Sequence, residues 1–150
     1  MKKLTKRMLI VFVLLTGVVQ AKNLSAWLLG GNDLTARIGY KATDKTEVGI
    51  EGVWIQDCAG DVGLYGSYQL GTVEIPNPIP VAGLPDKLSG TAYIGFHGGI
   101  DLIDNGTYSG PIAGFDLNGF IVEYQYLSAN YKMIAADNEQ KVVFGFCWRF

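Results

Sequence analysis

Apolar and polar residues alternate with a period of two along most of the chain. The clearest run is Val142–Phe150, in which every second residue from Val142 is apolar and mostly aromatic. Successive side chains of a strand point to opposite faces, so this alternation predicts a β-strand. The same pattern predicts seven further strands, at or near Leu24–Leu29, Leu34–Lys41, Glu47–Trp54, Val62–Leu70, Thr91–Gly98, Pro111–Leu117 and Phe120–Leu127.

Residues that favour turns separate these runs. They form clusters at Gly30–Asp33, Thr43–Thr46, Asp57–Asp61, Asp104–Gly106, Asn118–Gly119 and Asp137–Asn138. Asn-Gly between two alternating runs is a strong signal for a tight hairpin turn. No segment shows a convincing helical period, so the chain is predicted to be all-β with eight strands.

The two faces of these strands differ sharply in character. One face is broad, aromatic and nearly free of charge, whereas the other combines many glycines with charged residues. Two arrangements fit an all-β chain of this kind: a soluble barrel or sandwich, such as a lipocalin-like periplasmic barrel, with the apolar face inside, or a membrane barrel with the apolar face outside. Eight strands enclose an interior only wide enough for side chains. Glycines and opposite charges suit that interior, and the sequence favours an eight-stranded antiparallel up-and-down transmembrane β-barrel.

Composition points the same way. Hydrophobic residues make up 49% of the chain and charged residues only 17%, which is unusual for a soluble domain of this size. The formal net charge is −2, and no lysine or arginine cluster lies beyond the amino-terminal segment. Nucleic acid is therefore not an expected partner.

The amino terminus has the organisation of a secretory signal peptide. A basic segment, Met1–Arg7, precedes the short apolar run Met8–Val19, and the small residue Ala21 follows. The apolar run is too short for a membrane-spanning helix, which needs roughly 20 residues. We expect cleavage near Ala21, which divides the chain into a signal peptide, 1–21, and one domain, 22–150.

The final strand carries a more specific pattern. Phe146, Trp148 and Phe150 alternate up to the last residue, which resembles the strand by which the barrel-assembly machinery recognises outer-membrane proteins. In size and pattern the mature chain is similar to the small outer-membrane barrels of the OmpA transmembrane domain and OmpX group. This resemblance implies an outer-membrane location in a Gram-negative bacterium, contact with outer-membrane lipid, both termini in the periplasm, short periplasmic turns and longer outer loops.

One connection does not fit that topology. Residues Gly71–Lys87 are long and contain four of the five prolines, yet strand parity assigns them to the periplasm. Either the fourth and fifth strands extend into this segment or the strand count is wrong by one. Because proline cannot donate to a strand ladder, most of the segment is expected to be irregular.

The polar face predicts a buried ion network. Charges in a confined interior persist only when they are paired. The expected members are Arg37, Lys41, Glu47, Glu51, Asp116, Glu123 and Arg149. A gated pore for small ions is the alternative, but side chains on eight strands occupy the space that a channel needs.

An enzymatic alternative rests on His97, the single histidine. Some outer-membrane barrels modify lipid A, and a deacylase-like mechanism pairs a histidine base with a serine and an orienting carboxylate. No serine lies two residues from His97, so Ser67 or Ser128 would have to approach from another strand, with Asp116 or Glu123 as the orienting group. A histidine packed among interior charges is favoured, and no catalytic residue is assigned.

No cofactor or metal is expected, because two cysteines and one histidine show no ligand spacing. Cys58 and Cys147 are predicted to lie at opposite ends of the barrel and to be unpaired. A girdle of amphipathic rings near the membrane interface is predicted from six residues of the apolar face: Tyr40, Trp54, Tyr68, Tyr124, Tyr126 and Trp148. The predicted function is a non-enzymatic envelope protein that contributes to membrane integrity or to surface interactions through its outer loops. The sequence identifies no surface ligand.

Overall fold

The computed structural model describes residues 23–31, 33–54, 60–77, 87–102, 106–130 and 138–150. Within these ranges lie eight β-strands: β1 (Leu24–Gly30), β2 (Leu34–Lys41), β3 (Thr46–Trp54), β4 (Gly60–Pro76), β5 (Lys87–Asp101), β6 (Thr107–Leu117), β7 (Phe120–Asn130) and β8 (Asn138–Arg149). Each strand pairs with the next in antiparallel orientation, and β1 pairs with β8. The result is a closed barrel, which confirms the predicted all-β, eight-stranded antiparallel fold.

Up-and-down connectivity gives the barrel two distinct ends. We call the end that holds Asn23 and Phe150 the terminal end, and it also receives the connections 42–45, 77–86 and 118–119. The opposite end, here the loop end, receives the connections 31–33, 55–59, 102–106 and 131–137. The backbone amide of Asn23 donates to the carbonyl of Phe150 at 3.2 Å, so the two sides of the closure meet at the terminal end.

The tightest connection is the Asn118-Gly119 turn predicted from the sequence. Both residues have positive φ, 52° at Asn118 and 93° at Gly119, as a two-residue hairpin turn of the mirror-image type requires. The amide of Gly119 also donates to Oδ1 of Asp116 at 2.6 Å. Local chemistry therefore fixes the register of β6 with β7.

Strands β4 and β5 extend further than the sequence pattern indicated. Their ladder continues from the barrel to the pair Pro76 with Lys87, and Leu70 is an extra residue between the pairs Gln69–Tyr93 and Gly71–Ala92. The expectation that most of 71–87 is irregular is wrong for Gly71–Pro76, and of the two alternatives strand extension is the correct one. The prolines at 78, 80 and 85 lie outside the described residues. Pro76 is tolerated because it ends β4 where no third strand needs its amide.

Alternation along each strand separates the two surfaces of the wall. Side chains that point into the barrel are mostly buried, and they include both polar residues and an apolar cluster around Trp27, Leu29 and Ile121. Outside, twenty-four large apolar side chains of the described residues are exposed. No aspartate, glutamate, lysine or arginine of the described strands falls on that outer face.

Interior glycines make room for large interior rings. Gly39 and Gly49 are cross-strand partners, and the ring of Tyr65 lies over both. A Cβ atom at Gly49 would stand 2.7 Å from Cε1 of Tyr65 and closer still to a backbone carbonyl of β2. These glycines are therefore needed for close approach, which explains how so narrow a barrel holds tyrosine and tryptophan.

Among the residues that the structure describes, no helix has the length and apolar character needed to cross a membrane.

Candidate functional site: an ion network inside the barrel

Arg37 is the centre of the interior network. Its Nε lies 2.8 Å from Oε2 of Glu51, and its Nη1 lies 2.7 Å from Oε2 of Glu123. All three side chains are completely buried. The guanidinium also lies over the ring of Tyr65, 4.9 Å from its centroid. One residue of β2 thus ties together β3, β4 and β7 across the barrel.

Each carboxylate of this centre has further partners. Oε1 of Glu51 accepts from the hydroxyl of Tyr108 at 2.8 Å and lies 2.9 Å from Nδ1 of His97. Glu123 accepts from the hydroxyl of Tyr93 at 2.8 Å and from the amide nitrogen of Gln125 at 2.7 Å. A buried ionic group is tolerated only when its remaining hydrogen-bonding capacity is filled, and these neutral donors fill it.

Glu47 is held in a different way from the one expected. Its Oε1 accepts from Ser25 at 2.8 Å, from the indole of Trp27 at 2.7 Å and from the hydroxyl of Tyr65 at 2.6 Å. Neutral donors rather than a cation therefore stabilise this buried carboxylate. Lys41 was expected to contribute charge, but it forms no ion pair with any described residue.

Two further ion pairs flank the centre. At the terminal end, the guanidinium of Arg149 is paired with Asp116. Toward the loop end, Nζ of Lys141 lies 2.7 Å from Oδ2 of Asp33. The sequence analysis missed this second pair because it began the last strand at Val142 and treated Asp33 only as a turn residue.

The interior also contains neutral polar residues that the sequence analysis did not assign to the network: Ser25, Trp27, Tyr65, Tyr93 and Tyr108. The alternation of the strands could have indicated that these side chains point inward, since each lies at an inward position of its strand. What the sequence alone does not give is which carboxylate each donor reaches across the barrel.

A cavity of about 30 Å³ lies toward the loop end, lined by residues that include Asp61, His97, Tyr108 and Gln125. That volume is enough for one or two water molecules. The Arg37 centre thus lies between this cavity and the terminal end.

His97 occupies this interior and not an open cleft. Only 2% of the residue is exposed, and its Nδ1 faces Glu51 rather than Asp116 or Glu123. Ser67 also lies in the interior, whereas Ser128 is exposed on the opposite face of its strand. No described hydrogen bond joins His97 to either serine, so the arrangement needed for an acyl-transfer triad is not assembled in the described part of the chain.

The remaining candidate chemistry is limited. No group of three or more histidine, cysteine, aspartate or glutamate side chains within the described ranges has a geometry that holds a metal ion. Cys147 is buried inside the barrel with a free thiol. Cys58 falls outside the described residues.

Rings of the expected girdle all point outward, but they do not lie at one level of their strands. Tyr40, Tyr68 and Trp148 are exposed near the terminal end of the barrel, and Trp54 ends β3 at the loop end. Tyr124 is the fifth residue of β7, well inside the strand, and Tyr126 is only partly exposed.

The residues of the expected assembly signal, Phe146, Trp148 and Phe150, are also exposed on the outside. The rings of Phe146 and Phe120 pack edge to face at 5.7 Å, and the ring of Trp148 lies 6.2 Å from that of Phe146. Together they form an aromatic strip along the outer face of β8.

Comparisons with protein-family models, with curated proteins and with solved structures found no match for this chain.

Proposed function

We propose that this chain is a non-enzymatic integral outer-membrane β-barrel protein whose interior is filled by polar side chains. The observation that carries the proposal is the distribution of residues across the barrel wall. Most charged residues of the described strands are buried inside, while leucine, isoleucine, valine and aromatic side chains are exposed outside. Transmembrane barrels have this apolar-out, polar-in alternation.

The size of the exposed apolar surface argues against water as its solvent. Leu64 is 67% exposed and Phe96 is 56% exposed, and they belong to a face that continues around every strand. Monomeric soluble proteins rarely expose contiguous apolar patches of more than a few hundred Å². Acyl chains of lipid are a favourable environment for such a face.

Strand length is consistent with a bilayer. The paired region of β3 with β4, Thr46–Trp54 with Gly60–Tyr68, comprises nine residues in each strand. Nine residues extend about 30 Å along a strand, and a tilt of roughly 40° reduces this to about 23 Å along the barrel axis. The apolar band of known transmembrane barrels is about 25 Å tall.

The soluble, lipocalin-like alternative requires the reverse arrangement. Its apolar residues fill the interior and enclose a ligand cavity. Here Arg37, Glu51 and Glu123 are buried in the interior, where a lipocalin-like barrel has apolar side chains. The wall alternation therefore favours the membrane barrel over this alternative.

The ion network supports a structural role for the interior. Arg37 connects strands that are far apart in sequence, since 86 residues separate it from Glu123. Ion pairs in that position hold opposite walls of the barrel together and occupy the middle of the described interior. We therefore favour a closed barrel over a gated pore, and no residue is assigned to catalysis.

The biological contribution then comes from the outer surface and the loops. In the proposed orientation the loop end faces the outside of the cell and the terminal end faces the periplasm. The protein would contribute to envelope integrity or to surface interactions through its four loop-end connections. The signal-like segment 1–21 and the aromatic strip of β8 support export and recognition by the barrel-assembly machinery.

Membrane fractionation with electrophoresis tests this proposal. A folded barrel is expected in the outer-membrane fraction after an alkaline carbonate wash, and it should migrate differently before and after boiling. A chain that washes off the membrane, or that lacks any change in mobility on heating, would refute the proposed function.

A further inference from the structure

The β4–β5 hairpin continues past the barrel at the terminal end. Pairing of β3 with β4 ends at Thr46 with Tyr68, and pairing of β5 with β6 ends at Gly90 with Leu117. We call the continuation, Gly71–Pro76 paired with Lys87–Ala92, the ribbon. No described strand pairs with the outer edge of β4 along this ribbon, so that edge is open.

The ribbon keeps the two-sided character of the barrel wall. Strand alternation assigns one face to Gly71, Val73, Leu88, Gly90 and Ala92, none of which is charged. Val73 on this face is 59% exposed. The other face holds Thr72, Glu74, Lys87, Ser89 and Thr91.

The polar face is organised by side-chain contacts. The hydroxyl oxygens of Thr72 and Thr91 lie 2.9 Å apart, and Nζ of Lys87 lies 3.0 Å from Oε2 of Glu74. Both side chains of this ion pair are mostly exposed. Such groups suit a face that meets water.

The apolar face is joined directly to the outer surface of the barrel. The ring of Phe115 lies over Gly90, where a Cβ atom would overlap it. Gly90 is in turn the cross-strand partner of Val73. Phe115, Gly90 and Val73 therefore form one uninterrupted apolar surface that runs from β6 of the barrel onto the ribbon.

We propose that the ribbon lies against the membrane surface at the terminal end, with the Val73 and Leu88 face in contact with lipid and the Thr72 and Glu74 face in contact with water. This inference rests on the proposed function. It extends the lipid contact beyond the barrel wall. It also assigns a role to the connection between β4 and β5, which is longer than the short turns expected at the terminal end of such a barrel.

Dimensions explain why the ribbon would turn along the membrane. The nine paired residues of β4 that end at Tyr68 already account for about 23 Å along the barrel axis, which is close to the height of about 25 Å of the apolar band of transmembrane barrels. A ribbon that continued straight would carry an exposed apolar face and an open strand edge into the periplasm, an arrangement that favours aggregation. The extra residue Leu70 is a β-bulge, and bulges bend a strand at the point where they occur.

The sequence beyond the ribbon is compatible with a lipid interface. No charged residue occurs from Ile75 to Pro85. The ion pair of Glu74 with Lys87 lies on the polar face, so its charges do not face the lipid that the apolar face is proposed to contact.

Spin labelling tests this inference in the full mature barrel reconstituted into phosphatidylcholine and phosphatidylglycerol vesicles. Single labels are attached at Val73→Cys, at Thr72→Cys as the matched control on the opposite face, and at Leu64→Cys on the barrel wall. The background carries Cys58→Ser and Cys147→Ser, and each variant is first checked for a change in electrophoretic mobility on heating. Collision rates are measured with oxygen, which concentrates in lipid, and with a neutral nickel chelate, which stays in water.

The label at 73 is expected to show an oxygen-to-nickel collision ratio several-fold above that at 72 and closer to that at 64. If 64 has the lipid signature but 73 and 72 are equally accessible to nickel, the ribbon projects into water and this inference fails while the membrane barrel stands. If 64 itself is accessible to nickel, the proposed function fails. If the spectrum of the label at 73 shows dipolar broadening that disappears on dilution with unlabelled protein, the Val73 face contacts a second copy of the chain. That result would overturn the inference.

Discussion

Removal of the Arg37 guanidinium is expected to destabilise the barrel far more than removal of an arginine at its rim. Arg37 makes two ion pairs, at 2.8 Å and 2.7 Å, with carboxylates that are completely buried. In Arg37→Ala, both Glu51 and Glu123 lose their paired cation inside the barrel. Breaking a buried ion pair by removing one partner costs about 3–5 kcal/mol because an uncompensated charge stays inside.

Arg149→Ala is the matched control. It removes the same chemical group from an ion pair with Asp116, but about a third of the Arg149 side chain is exposed. Solvent reaches the Arg149 guanidinium, and the nearly buried Asp116 still accepts from the Gly119 amide, so loss of this pair should cost less, about 1–2 kcal/mol. The comparison therefore isolates burial from the loss of an arginine.

The assay is urea unfolding of the barrel in lipid vesicles, followed by tryptophan fluorescence. With a slope of about 2 kcal/mol per molar urea, the midpoint of Arg37→Ala should fall by about 2 M, while that of Arg149→Ala should fall by only about 0.5–1 M. The triple variant Arg37→Met, Glu51→Gln, Glu123→Gln should recover most of the lost stability, since it leaves no unpaired charge.

Equal midpoints for Arg37→Ala and Arg149→Ala would refute the reasoning. A triple variant as unstable as Arg37→Ala would refute it as well, because the loss would then arise from packing and not from charge.

Three further outcomes are expected. Gly49→Ala should cost about 1–3 kcal/mol in the same unfolding assay, because its Cβ would stand 2.7 Å from the ring of Tyr65. Gly66→Ala should be nearly neutral, since the nearest neighbour of its Cβ is 3.8 Å away on the outer face. Equal losses of stability in the two variants would contradict the packing described. Leu64→Arg should destabilise the reconstituted barrel by about 2–4 kcal/mol if that face meets the hydrocarbon, and a neutral effect would count against lipid contact. His97→Ala should leave the lipid A of the host membrane unchanged by mass spectrometry, and a changed acylation pattern would restore the enzymatic alternative.

The period-two alternation was sufficient to predict the strands and the antiparallel barrel. It succeeded because each strand separates two environments, so the polarity of a side chain indicates the face on which it lies. The Asn118-Gly119 hairpin was equally predictable, because its two positive φ angles have a local chemical signal.

Other features depend on contacts that sequence spacing does not encode. The extension of β4 to Pro76 follows from pairing with β5, which overrides the low strand preference of proline at an unpaired edge. The partners within the ion network were harder to predict, because inward side chains of a closed barrel contact one another across the interior. Glu47 was expected to face a cation and instead accepts from Trp27 and other neutral donors, a choice that only the cross-barrel geometry reveals.

Quenching of tryptophan emission by brominated phospholipid tests the central claim most directly. Trp54 and Trp148 are exposed on the outer face, while Trp27 is buried inside. In vesicles with brominated acyl chains the protein should lose much of its emission, whereas a Trp54→Phe, Trp148→Phe variant, which retains only Trp27, should lose little. Absence of quenching in the parent protein, or equal fractional quenching in both, would contradict the assignment of the outer face to lipid.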